Sequence, residues 1–106
     1  MNATIERRTS DRHPCDCQAS WSYFNKEGTA TGRILNFSRN GSYLEIDQPM
    51  IPGATVLIRI LTCGAPEAAH PDALPLTAMA EVKWCREIER RTVSRHGAGV
   101  RYHFPV

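Results

Sequence analysis

Arginine is concentrated in the run Arg7-Arg8-Thr9-Ser10-Asp11-Arg12. Some thirty positions on, Asn36-Phe37-Ser38-Arg39-Asn40-Gly41 sets an amide, a hydroxyl and a glycine at fixed offsets. A guanidinium is a planar fork of donors that fits phosphate, pairs with the O6/N7 edge of guanine and stacks on flat rings. Asparagine offers both a donor and an acceptor, and serine a hydroxyl donor. Glycine permits positive φ and close backbone approach. These are the parts of a nucleotide or phosphate site, with Arg7, Arg8, Arg12, Asn36, Ser38 and Gly41 as its candidate residues. Taken alone, the first run reads as a solvated tail or a nucleic-acid arm. Taken alone, the second reads as an ordinary turn between strands. Occurring together and in this order, they favour a ligand site.

The elements that position these residues read as strands. Residues 1–14 are polar and irregular, an arm expected to be mobile unless something holds it. The domain proper then runs over 15–106. Asp16 to Phe24 alternates, with Cys17, Ala19, Trp21 and Tyr23 on one side and Gln18, Ser20 and Ser22 on the other, a period-2 strand pattern. Thr29–Asn36 returns after a turn at Asn25–Gly28. Ser42–Ile46, the apolar Thr55–Leu61, Leu76–Trp84 and Gly97–Phe104 come next. Leu76, Ala78, Ala80, Val82 and Trp84 are expected on one face, which makes Trp84, like Trp21, a core residue. Arg101 and His103 are expected on the polar face of the last strand, where lining the pocket is the alternative to the favoured solvated surface. Six short strands with turn signals about every ten residues predict an all-β fold, a small six-stranded antiparallel barrel or a sandwich.

Composition narrows the function. One domain of 106 residues, 42% hydrophobic, holds a modest core. No apolar run approaches the ~20 residues of a membrane helix, and the first residues lack a signal-peptide apolar region. A cytoplasmic protein without membrane insertion is expected. The formal net charge of +2 is too mild to point to DNA or RNA binding. Eleven of the 13 Lys and Arg residues are Arg, Lys26 and Lys83 being the exceptions. The four cysteines, at 15, 17, 63 and 85, lack the paired spacing of a zinc site. They read as reduced, mostly buried thiols, with one of Cys15 and Cys17 in the core and the other at the surface.

At Arg8-Thr9-Ser10-Asp11-Arg12 and Asn36-Phe37-Ser38-Arg39-Asn40-Gly41 the chain resembles the PilZ domain family. Those bacterial six-stranded barrels carry an RxxxR motif on an N-terminal arm and a D/N-x-S-x-x-G motif some twenty to thirty residues later. Glu6-Arg7, Pro49-Met50-Ile51-Pro52-Gly53, Ala80-Glu81-Val82-Lys83-Trp84 and Gly97 to Phe104 also look like that family. The resemblance implies a receptor for the second messenger cyclic di-GMP. Such a receptor orders its arm on binding and relays the signal to a protein effector, with motility, biofilm or a related output. By the same resemblance, Arg8 and Arg12 would grip guanine edges and phosphates, and Arg7 would contact a phosphate or stack on a base. Asn36 and Ser38 would hydrogen-bond a guanine or a phosphate, and Gly41 would let the turn fold tightly beside the ligand. One ligand or an intercalated pair is compatible with the extra Arg7.

Other function classes fare worse. His13, His70, His96 and His103 are scattered, and no H-E-x-x-H, G-x-S-x-G or P-loop pattern occurs. Neither an enzyme nor a resident cofactor or metal is expected. A PilZ-like adaptor that binds only proteins is the alternative, but such members usually lack the arginines that this chain retains.

Overall fold

The computed structural model describes residues 12–63, 77–88 and 95–103. Its strands are β1 His13–Tyr23, β2 Ala30–Phe37, β3 Gly41–Ile46, β4 Thr55–Cys63, β5 Thr77–Glu87 and β6 His96–Tyr102. They close into a barrel in the order β1-β2-β3-β6-β5-β4, with every neighbouring pair antiparallel. The expected six-stranded barrel is therefore the fold that the chain forms. Closure removes the unpaired edges that an open sheet would expose. No helix among the described residues is long and apolar enough to cross a membrane.

The inward face obeys the sequence alternation. Cys17, Ala19 and Trp21 of β1 meet Leu44 and Ile46 of β3, Val56 and Ile58 of β4, Ala78, Ala80 and Val82 of β5, and Ala98 and Val100 of β6 in one buried cluster. Tyr23 bridges the β3–β4 connection to the barrel. Its hydroxyl accepts from Ile51 N–H at 3.1 Å and donates to the Pro49 carbonyl at 3.3 Å.

The alternation is interrupted at bulges, where one extra residue reverses the facing of the remainder of its strand. Ile34 pairs with Leu44, yet Asn36 pairs with Tyr43, so Leu35 is the extra residue on β2. Val82 pairs with Val100, yet Trp84 pairs with Gly99, so Lys83 is the extra residue on β5. The second bulge overturns one expectation. Trp84 does not share the face of Ala80 and Val82; it stands outside the barrel, 38% exposed.

The cysteines also depart from the expectation. Cys17 and Cys63, cross-strand partners on β1 and β4, form a disulfide. Cys15 and Cys85 remain thiols, and Cys15 Sγ donates to the Ile34 carbonyl at 3.3 Å. Cys15 and Cys17 lie two residues apart on a strand and so share the inward side. Both pack on the core, Cys15 only partly buried, and the expected division into one core and one surface residue fails.

Tyr102 closes one part of the core. Burial raises its phenol above the ordinary value of 10.0, while the neighbouring Ser42 hydroxyl pulls it down and the charge of Cys15 pushes it up. Folding thus favours the neutral phenol. Its contribution to stability is complete below pH 10 and is lost as pH rises through the elevated value. In thermal melts, Tyr102→Phe is expected to show a shallower loss of stability above pH 10 than the wild type. Parallel curves would show that Tyr102 contributes nothing to the alkaline limb.

Candidate functional site

The Ser38–Gly41 turn is tied down from within and from the last strand. Ser38 N–H donates to the Gly41 carbonyl at 2.8 Å. Asn40 N–H donates to Ser38 Oγ at 3.2 Å, the local side-chain bond that serine supplies in turns. Tyr102 N–H donates to the Asn40 carbonyl at 2.7 Å. The Ser38 hydroxyl accepts inside the turn and keeps its own proton for another partner.

Arg12 immediately precedes β1, whose first residues His13 and Pro14 pair with Phe37 and Asn36. This pairing carries the guanidinium to the turn, where Arg12 Nη1 donates to Asn36 Oδ1 at 3.2 Å. The β2 bulge makes that contact possible, because without it Asn36 would face the core.

Arg12, Ser38, Asn40, Gly41, Ser42, Tyr43, Trp84, Gly99 and Arg101 line a concavity of about 150 Å³. Two guanidiniums and no carboxylate stand in that lining, so its electrostatics suit an anion. Arg101, read as solvated surface in preference to pocket lining, is the second cation of the shelf. The concavity is smaller than the ~300–1,000 Å³ of enclosed ligand pockets. It is a shelf that fits one ring system and leaves the rest of a larger ligand over the rim.

The back of the shelf is aromatic. Tyr43 and Trp84, each paired with Gly99 from opposite sides, stack with ring centroids 5.8 Å apart and planes 27° apart. Arg86 lies over the Trp84 ring, 4.8 Å from its centroid. Glycine makes the floor beneath. A Cβ on Gly99 would run into Trp84 Nε1, and one on Gly97 would lie 2.6 Å from the Tyr43 hydroxyl. Without those side chains, both rings can lie down on β6.

The structure thus gathers four of the six expected site residues, Arg12, Asn36, Ser38 and Gly41. Arg7 and Arg8 lie outside the described residues. Asn36 stands behind Arg12 and is not part of the shelf lining. Of the two properties expected of the turn glycine, close backbone approach is the one in use. Gly41 is not among the residues with positive φ; it allows β3 to approach β6, since a Cβ there would collide with the Val100 carbonyl oxygen. Tyr43 is not singled out by the sequence, whereas Trp84 reads as core in preference to a stacking platform and Arg101 as solvated surface in preference to pocket lining. The Gly97-Ala98-Gly99 run was the available signal, because two glycines on one face of a strand mark where something lies close.

Comparison with known proteins agrees with this architecture. The family model described as PilZ domain matches residues 6–105. None of the curated proteins matches the sequence. Among solved structures, the PilZ domain with c-di-GMP of YcgR from Escherichia coli superposes with a TM-score of 0.66 at 10% identity. That match covers 92% of this chain and 78% of the other. The motility inhibitor MotI/DgrA of Bacillus subtilis gives 0.63 at 13% identity, covering 96% of this chain and 44% of the other. The MrkH–c-di-GMP complex of K. pneumonia gives 0.63 at 14% identity, covering 94% and 46%. The chain therefore spans less than half of the last two proteins.

Proposed function

Since the chain belongs to the PilZ domain family, we propose that the shelf takes cyclic di-GMP and that the bound protein signals to a protein partner. One observation carries the reading: two guanidiniums, a serine hydroxyl and an aromatic pair converge on a single concavity. Phosphate needs cations and donors, and a purine needs a flat surface and hydrogen-bonding groups. This shelf offers both within one ligand's reach.

The chemistry of each residue sets its role. Arg12 and Arg101 meet phosphate or the O6/N7 edge of guanine. Ser38 donates its free proton to a phosphate oxygen. Asn36 holds Arg12 in place by accepting from its guanidinium. Trp84 presents a stacking surface, and Gly41 keeps the turn close to β6. The shelf is too small to enclose a dinucleotide. Arg7 and Arg8, on the N-terminal arm that precedes β1, close over the exposed part and are ordered by binding. That ordering costs about 1–2 kcal/mol per fixed residue, which charge-assisted contacts offset. The newly covered surface is the one a partner reads, in the cytoplasm.

Calorimetric titration with cyclic di-GMP tests the reading. Arg12→Ala and Ser38→Ala are expected to weaken binding, the arginine by roughly 10- to 100-fold, as for a lost hydrogen bond to a charged group. Trp84→Ala is expected to lose about 5- to 100-fold, the usual worth of one stacked base. Absence of heat with folded wild-type protein would leave the shelf without this ligand and sink the proposal.

A further inference from the structure

Glu45 is a carboxylate where the fold has no use for one. It lies on the outer side of β3, since Leu44 and Ile46 on either side of it fill the core, yet it is only 2% exposed. A charged group on the outside of a barrel ordinarily extends into water. One that is covered must recover its lost hydration from polar partners. Two are at hand. The Tyr43 hydroxyl donates to Glu45 Oε2 at 3.1 Å. Arg33 stands directly across the β2–β3 ladder, where the charge of Glu45 helps to hold its guanidinium protonated, second to the hydrogen-bonded Asp16.

We infer that Glu45 is a positioning residue for the shelf: its carboxylate holds the Tyr43 phenol down on Gly97, and Tyr43 in turn sets the tilt of the Trp84 indole. Each step is a contact between strand residues rather than on a loop. Glu45 and Gly97 are ladder partners, as are Tyr43 and Gly99. The missing Cβ of Gly97 leaves room for the phenol, whose hydroxyl would otherwise lie 2.6 Å from that atom. The hydrogen bond to Glu45 restrains the phenol along its strand, beside the stacking contact with Trp84. Trp84, 38% exposed, takes its resting plane from the stacked Tyr43 ring and from Arg86, which lies over the indole. Pre-set orientation of this kind strengthens binding by removing an ordering cost at the moment of association. The binding consequence rests on the cyclic di-GMP reading, whereas the orientation itself does not.

Two indoles report separately. Trp84 lies at the shelf and Trp21 in the core, and the Trp84→Phe variant assigns their N–H signals in nitrogen–proton correlation spectra. Tyr43→Phe, which keeps the ring and removes the hydroxyl, is expected to shift the Trp84 signal and leave that of Trp21 in place. Glu45→Ala is expected to do the same, and Glu45→Gln, which retains a carbonyl acceptor, to restore most of the wild-type position. Titrated with cyclic di-GMP, Tyr43→Phe and Glu45→Ala are expected to bind about 3- to 10-fold more weakly, the scale of one aromatic pairing, with Glu45→Gln close to wild type. Arg12→Ala is expected to weaken binding without moving the Trp84 signal. An unmoved Trp84 indole in folded Tyr43→Phe overturns the inference whatever the binding result. A shifted indole in a protein that ignores cyclic di-GMP upholds the positioning role and removes only the ligand.

Discussion

Gly41→Ala is expected to lower the stability of the barrel by about 3 kcal/mol or more, the upper range for overpacking a tight site. The added methyl would meet the Val100 carbonyl oxygen, with the Val100 carbonyl carbon and Arg101 Cα each at 3.1 Å. All three are backbone atoms, so no side chain can turn away to make room. Neither strand can retreat cheaply. Gly41 pairs with Arg101 in the β3–β6 ladder, and the bonds Ser38 N–H to Gly41 O and Tyr102 N–H to Asn40 O clamp both sides of the seam. For a domain of this size each kcal/mol moves the melting temperature by roughly 4–8 °C, so thermal melts resolve the effect easily.

Gly99→Ala makes the contrast. Its methyl would meet the Trp84 side chain, which can swing outward from an exposed position. That variant is expected to melt near the wild type and to lose the stacking surface instead. A Gly41→Ala protein melting within about 2 °C of wild type, less than the shift expected for 1 kcal/mol, would show that β3 has room the structure does not give it.

These two glycines show how far the residues can be read without coordinates. Strand identity is legible, because alternation of apolar and polar residues survives in Cys17-Ala19-Trp21 and Ala78-Ala80-Val82, and these do face inward. The turn residues and the arginines are legible as chemistry. The bulges at Leu35 and Lys83 are not, because an extra residue in a ladder is a property of the pairing and leaves no mark in one strand's sequence. Yet those bulges decide the site. One turns Asn36 toward Arg12, and the other turns Trp84 from expected core to the shelf. Arg101 was legible only as the lesser alternative for a related reason: alternation places it outside the barrel, and only the closure of β3 on β6 brings that outside position beside the Ser38–Gly41 turn. Glycine is ambiguous in the same way. Asn-x-Ser-x-x-Gly suggests a positive φ, whereas the close seam with Val100 is a contact between residues some sixty positions apart.

The cysteine pairing is the long-range feature with the largest expected effect on stability. Cys17 and Cys63 are separated by 46 positions and meet only because β1 and β4 are neighbours in the closed barrel. On the chain-entropy account, a cross-link closing a loop of that length destabilises the unfolded chain by about 4 kcal/mol. Engineered and native bridges commonly deliver about 2–4 kcal/mol, a large part of the ~5–15 kcal/mol that holds a small domain together. Cys63→Ser is the cleaner variant, since Cys63 is exposed whereas Cys17 is 1% exposed within the core. Its melting temperature is expected to fall to that of the wild type under a dithiol reductant, and the reductant should not lower it further. Thiol titration of the denatured, unreduced wild type is expected to find the two thiols of Cys15 and Cys85. In a compartment that keeps thiols reduced the bridge would be open, and the barrel would have to stand on its core and its closed ladder alone. The melt under reductant therefore measures the stability available to the protein there. Four titratable thiols, or a Cys63→Ser melt superposable on the oxidised wild type, would remove the disulfide from the stability of this barrel.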